Sequence, residues 1–360
     1  MSNPKRSSFA TSILQWHQAI DRRLPWKESK DPYKIWLSEI IMQQTRVAQG
    51  TPYYLKFIDA YPTIIDLANA PEDEVMKLWQ GLGYYSRARN LHYTAKFVRD
   101  KYLGTFPTEY KEILDLKGVG KYTAAAIASF AYGLEYPVVD GNVIRVISRY
   151  FGITAAVDSA PVIKKINALA VKLIQGSDPA DYNQAIMDFG ALQCSPKSPN
   201  CEECPLNQEC VAYETNQVDQ IPFKSKKVKK RERFLHYLYI SDAKDRLVLN
   251  FRDKKDIWQS LYDFPCMENA SSTTLDEKEI KLFLNKKLGL KNLEITPPTK
   301  TYKHILSHQT IYGQFHQISV AHLPEKLDDF IIVEIKNLDT YAFPVLLINF
   351  MKDKKEWTLF

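Results

Sequence analysis

Long apolar runs are missing from this chain of 360 residues. None approaches the ~18 residues that a membrane span requires. Met1–His17 holds no apolar stretch of the kind that opens a secretory signal. We therefore expect a soluble chain that stays in the cytoplasm and has no membrane partner. Cysteine is scarce, with five residues in all, and in a reducing compartment a disulfide framework is not expected. Charge of neither sign dominates: 48 Lys and Arg stand against 42 Asp and Glu, a net +6. That excess permits a nucleic-acid partner without requiring one. With 45% hydrophobic and 25% charged residues, the composition excludes disordered, collagen-like and coiled-coil chains. The length suits two domains at ~100–200 residues each.

From about Ser7 to Tyr213 the pattern is helix after helix, with no clear alternating strand and no strict repeat. Trp16, Ile20 and Leu24 recur at helical spacing, as do Ile35, Ile40, Ile41 and Val47. Pro62-Thr63 and Ala70-Pro71 read as helix starts. Lys224–Arg233 is polar, basic and aperiodic. It reads as a solvated linker that could also touch a phosphate backbone. Beyond it, Phe234–Ile240, Leu247–Phe251, Thr310–Val320 and Ile331–Ile335 read as strands, and Asp276–Leu288 and Phe343–Lys352 as helices. The expectation is an all-α region over residues 1–216, a basic linker over 217–233 and an α+β domain over 234–360.

Four of the five cysteines, Cys194, Cys201, Cys204 and Cys210, crowd into one short segment. Four thiolates can ligate zinc or a 4Fe–4S cluster. Structural zinc more often uses two CxxC pairs, and here there is one, so the uneven spacing favours the cluster. Leu116–Ile127 contains a Gly118-Val119-Gly120 turn that opens an Ala-rich helix. Its exposed N–H groups favour an anion. GxxxxGK[ST] is absent and no strand precedes the turn, which excludes a P-loop and a dinucleotide fingerprint. A helical Tyr110–Leu116 makes this a helix–hairpin–helix, suited to gripping one DNA phosphate. An ordinary helix–helix turn fits the pattern equally well.

Two acids stand in unusual settings. Glu39 is the sole acid of an apolar and amide stretch, Trp36–Thr45. Burial there would raise its pKa and suit a general acid; a surface position on a helix is the plainer reading. Asp140, between Val139 and Gly141-Asn142, reads as the start of a helix, where the dipole favours the charged form. It is either a cap or the second carboxylate of a glycosidic pair.

Taken in order, the motifs are Leu24-Pro25-Trp26, Ser38-Glu39-Ile40 with Gln43-Gln44-Thr45, Gly81–Leu91, Gly118-Val119-Gly120, Val139–Val143 with Arg145, and the four cysteines. Together they resemble the MutY-type adenine DNA glycosylases, within the endonuclease III-like helix–hairpin–helix superfamily. The resemblance runs from about Leu24 to Phe350. The endonuclease III type carries a Schiff-base lysine where this chain has Tyr122; Lys121 lies one residue early, about 100° away around a helix. The resemblance thus implies a monofunctional enzyme, with a bifunctional glycosylase/lyase as the alternative. Trp258, Phe264-Pro265 and His304–His308 resemble the Nudix-like C-terminal domain of the family. The glutamate run of a true Nudix hydrolase is absent after Phe264-Pro265, so triphosphate hydrolysis is not expected.

What the resemblance implies is specific. Glu39 protonates adenine, Asp140 stabilises the sugar cation, and Asn142 and Tyr122 help hold water and sugar. Gln44 and Tyr84 wedge into the base stack. Trp26, Lys27 and Gln184 line the adenine pocket, although the family often has Arg where Lys27 stands. Ser307 and His308 read 8-oxoguanine in the opposite strand, beside Leu306 where the family often has Phe. Gly118, Val119 and Gly120 hold a DNA phosphate, and the four cysteines hold a 4Fe–4S cluster. The implied partner is double-stranded DNA with A:8-oxoguanine or A:G mispairs, bound by a monomer associated with a bacterial nucleoid. His17, His92, His236, His304, His316 and His322 show no ligand spacing.

Overall fold

The computed structural model describes residues 4–20, 22–225, 230–271, 275–291 and 293–354. It divides into two compact units: residues 1–69 with 90–227, and residues 70–89 with 228–360. A single boundary within 217–233 does not anticipate the excursion of residues 70–89 into the second unit.

The first unit is helical. In chain order it holds α1 (Pro4–Gln18), α2 (Pro32–Met42), α3 (Val47–Ala60) and α4 (Ile64–Asn69). The second unit takes α5 (Glu72–Leu78), and the division falls within α6 (Ser86–Tyr102). The first unit continues with α7 (Tyr110–Leu114), α8 (Lys121–Tyr132), α9 (Gly141–Tyr150), α10 (Ala160–Ile174), α11 (Pro179–Leu192) and α12 (Val211–Glu214). Two helical spacings do not persist as read. α1 stops at Gln18, so Ile20 and Leu24 lie outside it; Leu24 precedes Pro25, which disfavours helical backbone. α2 starts with Pro32 behind the Asp31 cap and ends before Gln44, whose φ is 54°, so Val47 opens a separate helix.

α9 shows what holds these short helices. Ten residues are too few for a stable helix in water. Val143, Val146, Ile147 and Tyr150 repeat on one face and bury against Phe9 and Ile13 of α1, Ile166 of α10 and Ile186 and Phe189 of α11. Each such side chain contributes about 1.5–3 kcal/mol on burial. The core therefore fixes α9, and with it the direction in which its first turn points.

The second unit is built on a sheet of β1 (Arg231–Asp242), β2 (Arg246–Phe251), β3 (Tyr262–Asp263), β4 (Cys266–Asn269), β5 (Glu294–Thr296), β6 (Thr301–Ile305), β7 (Gln309–Val320) and β8 (Ile331–Glu334). The sequence reading does not anticipate β3 to β6. β1 and β7 pair in parallel from Arg231↔Gln309 to Asp242↔Val320, and the remaining pairings are antiparallel. α13 (Glu277–Leu288) covers Leu238, Ile240 and Ile318 on one face. α14 (Val345–Asp353) covers the other, where Phe350 stacks on Phe315 at 4.0 Å. Gly313 is required there, because a Cβ would lie 2.8 Å from Leu346 Cδ2. Residues 70–89 join this unit through Gln80, which accepts the Phe343 N–H at 2.8 Å, and Lys77, which donates to the Tyr341 carbonyl at 3.0 Å.

The described part of the expected linker is not free. Ile221 is buried, its carbonyl accepts from Arg149 Nε at 2.9 Å, and the Phe223 carbonyl accepts the Val157 N–H at 2.9 Å. Arg231 and Arg233 already belong to β1. Lys226, Lys227, Val228 and Lys229 lie outside the described residues.

Candidate active site

Glu39 sits on α2 among buried Ile35, Trp36, Ile40 and Ile41. Burial pushes its carboxyl up to about 7, the Asp140 charge adds to the rise, and a hydrogen bond from the Tyr122 hydroxyl opposes it. Tyr122 opens α8, which packs on α2, and its hydroxyl also lies 3.8 Å from Met187 Sδ. Gln43 Nε2 ties the end of α2 to Thr123 Oγ1 at 3.3 Å. The surface reading of Glu39 is therefore excluded.

Asp140 is the N-cap of α9. Its Oδ1 accepts the Val143 N–H at 2.7 Å and its Oδ2 accepts Asn142 Nδ2 at 2.7 Å. The expectation of a carboxyl held low by the helix terminus is corrected here. Burial raises its pKa, and the capping bonds and Arg145 only oppose that rise. Both acids are thus raised, and Glu39 lacks the backbone donors that Asp140 has. Arg145, quoted in the motif without a role, holds this corner together. It donates to Asn142 Oδ1 at 2.9 Å, the Gly190 carbonyl at 2.6 Å and the Cys194 carbonyl at 2.8 Å.

The walls carry a surprise for the sequence reading. Trp26 packs edge-on against Tyr54, with ring centroids 5.3 Å apart. Gln184 is partly buried on α11. Lys27 Nζ lies 2.5 Å from Asp188 Oδ2, an acid one turn beyond Gln184. Asp188 also bonds His17 at 3.0 Å and Arg22; against the effect of burial, the hydrogen bonds from His17 and Lys27 and the charges of Lys27 and Arg22 hold its carboxyl near 2. Neither Asp188 nor Arg22 was anticipated. The signal was present, since Asp188 is the lone acid of Ala185–Phe189, the same pattern that marks Glu39.

In the hairpin, Gly118 has φ 83°, and a Cβ there would lie 2.9 Å from Asn90 Cβ. Around Gly120 a Cβ would meet nothing within 4 Å, and this N-cap offers α8 no side-chain bond. The first turn of α8 therefore keeps backbone donors for an anion. Lys121 is exposed, whereas Tyr122 meets Glu39.

All four clustered cysteines are free thiols, and Cys194, Cys204 and Cys210 pack against the α1–α9–α11 core. Among the described residues no three His, Cys, Asp or Glu side chains form a group able to hold a metal ion. Burial, and behind it the neighbouring thiols, raise the pKa values of Cys201, Cys204 and Cys210, Cys204 to about 12. Arg149 Nη1 donates to Cys194 Sγ at 3.4 Å. Four thiols in one segment nonetheless supply the donor chemistry of an iron–sulfur cluster, whose positive iron would offset the cost of the thiolates.

Two proposed wedges carry backbone strain, each within its own unit. Gln44 has φ 54° and Tyr84 has φ 49°. A non-glycine residue held there costs on the order of 1–3 kcal/mol, and such strain gathers at functional sites. In the second unit Tyr84 Oη lies 3.2 Å from Ser307 Oγ, and His308 Nδ1 lies 3.4 Å from the same oxygen. The Leu306 N–H closes this loop on the Gln309 carbonyl at 2.8 Å.

Comparison with known proteins agrees with this geometry. The family model described as HhH-GPD superfamily base excision DNA repair protein matches residues 37–173, and that described as NUDIX domain matches residues 236–353. An adenine DNA glycosylase of Buchnera aphidicola subsp. Baizongia pistaciae is 38% identical over 311 residues, 84% of each chain. The adenine DNA glycosylase of Homo sapiens is 39% identical over 224 residues, 60% of this chain and 41% of that one. A solved thermostable thymine-DNA glycosylase matches with TM-score 0.56 at 36% identity, covering 59% of this chain and 98% of the other. An endonuclease III–DNA complex matches with TM-score 0.52 at 22% identity, over 60% and 99%, which shows a shared fold.

Proposed function

We propose a mechanism for a chain that belongs to the adenine DNA glycosylase family. It is a base excision repair enzyme that cleaves an N-glycosyl bond. The reading advanced here is removal of adenine mispaired with 8-oxoguanine or guanine in duplex DNA, by a monomer without lyase chemistry. The carrying observation is the trio of Glu39 raised to about 7, Tyr122 bonded to it and Asp140 close enough to act on it.

The adenine nucleotide leaves the stack at a cost of a few kcal/mol, while Gln44 and Tyr84 fill the gap. Trp26, Lys27 and Gln184 receive the base. Glu39, half protonated near neutral pH, gives its proton to N7, and adenine departs with the bonding electrons. The oxocarbenium-like sugar that remains meets the Asp140 carboxylate, and Asn142 and Tyr122 help hold the water that completes hydrolysis. The hairpin at Gly118, Val119 and Gly120 grips a phosphate. Ser307 and His308 read the opposite base, with Tyr84 orienting the Ser307 hydroxyl; N7–H and O8 of 8-oxoguanine are the groups that guanine lacks.

The test is single-turnover release from an A:8-oxoguanine duplex, with and without alkali. Strand breaks should appear only after alkali. Breaks without alkali would mean that an amine reaches the sugar, and the lyase reading would return.

Cys194, Cys201, Cys204 and Cys210 would hold a 4Fe–4S cluster, which when bound fastens this segment to the core and takes no part in hydrolysis. Metal analysis should find about four iron atoms per chain. Cys204→Ser should lower iron content, visible absorbance and melting temperature together. Stoichiometric zinc without iron would overturn the assignment.

A further inference from the structure

Asp188 gathers more partners than one carboxylate needs. Its side chain is 2% exposed, yet His17 Nε2 and Lys27 Nζ both reach Oδ2, at 3.0 and 2.5 Å, and Arg22 donates to Oδ1. Lys27 Nζ also donates to the Arg22 carbonyl at 3.2 Å, which closes the connection after α1 on itself. Met187, the preceding residue, touches the Tyr122 hydroxyl. Burying such a group is a poor route to stability, because desolvation cancels much of the Coulombic gain. Ordering an Arg and a Lys adds lost rotamer entropy for each. What the arrangement does provide is geometry: a base-reading wall works only when its side chains are held within about 0.5 Å.

We propose that Asp188 is a positioning residue for the adenine pocket. It clamps Arg22 and Lys27, and Trp26 between them, against the α11 face that carries Gln184. This rests on the reading in which Trp26, Lys27 and Gln184 receive the base.

The experiment compares adenine and hypoxanthine release, each opposite the same base, for the parent protein and Asp188→Asn, under single turnover with active sites titrated. Hypoxanthine carries a carbonyl where adenine has its amino group. Adenine release should fall about 10- to 100-fold, and the adenine-to-hypoxanthine rate ratio should shrink about fivefold or more. Duplex affinity should barely move. Equal loss of both rates, or no loss of either, would overturn the proposal and leave Asp188 as a structural lock. If Asp188→Asn does not fold, Arg22→Gln removes one partner at a partly exposed position; an unchanged ratio there overturns it equally. A parent protein that releases no adenine at all would strike the proposed function instead.

Discussion

Glu39→Gln abolishes adenine release and leaves duplex binding within a few fold. A positioned general acid contributes about 10²- to 10⁴-fold, and the amide cannot supply the proton. Glutamine keeps the volume and can still accept from Tyr122, so the pocket survives. In the parent protein the proton is the titrating quantity. With the carboxyl at about 7, excision should fall about tenfold per unit above that pH. The same shift carries a stability sign. The folded chain holds this proton up to about 7, against 4.5 as the ordinary value. The folded state therefore binds more protons between those limits, and its stability declines as the pH rises through 7. At pH 8 the ionised, partly buried Glu39 costs at most about 3 kcal/mol, so Glu39→Gln should melt higher than the parent there. The advantage should shrink toward pH 5. A Gln variant that releases adenine at the parent rate, or that loses duplex binding while chemistry persists, would remove Glu39 from the mechanism.

That combination, an inactivating change that stabilises, explains why Glu39 was legible in the sequence. A lone acid among buried apolar residues breaks local consistency, and such breaks mark functional sites. The same reasoning finds Asp188 between Met187 and Phe189, but nothing in the sequence names its partners. His17, Arg22 and Lys27 lie more than 150 positions away and meet Asp188 only through packing. The strands long enough to alternate, β1 and β7, were legible, whereas the two-residue β3 was not. The joining of residues 70–89 to the second unit was hidden for a related reason. It depends on Lys77, Gln80 and Arg89 meeting the backbone of Tyr341, Phe343 and Gln259, and backbone groups carry no sequence signature. Strain at Gln44 and Tyr84 was likewise invisible, since neither residue type advertises positive φ.

Asp140→Asn should separate the two readings of that residue, cap and electrostatic partner. Asparagine caps a helix about as well as aspartate, and its side-chain oxygen can still accept the Val143 N–H. α9 is held mainly by Val143, Val146, Ile147 and Tyr150 in the core, so the melting temperature should change little. The charge, however, is gone. A carboxylate about 4 Å from a sugar cation is worth about 4 kcal/mol at an effective dielectric of about 20, roughly a thousandfold in rate. Release should fall by that order while the fold and duplex binding persist. Asp140→Ala supplies the control: it loses the cap as well, at about 1 kcal/mol of stability, yet should be no less active than Asp140→Asn. If instead Asn retains activity within tenfold and only Ala is impaired, Asp140 is a cap alone, and the sugar cation must find its counter-charge elsewhere in the pocket.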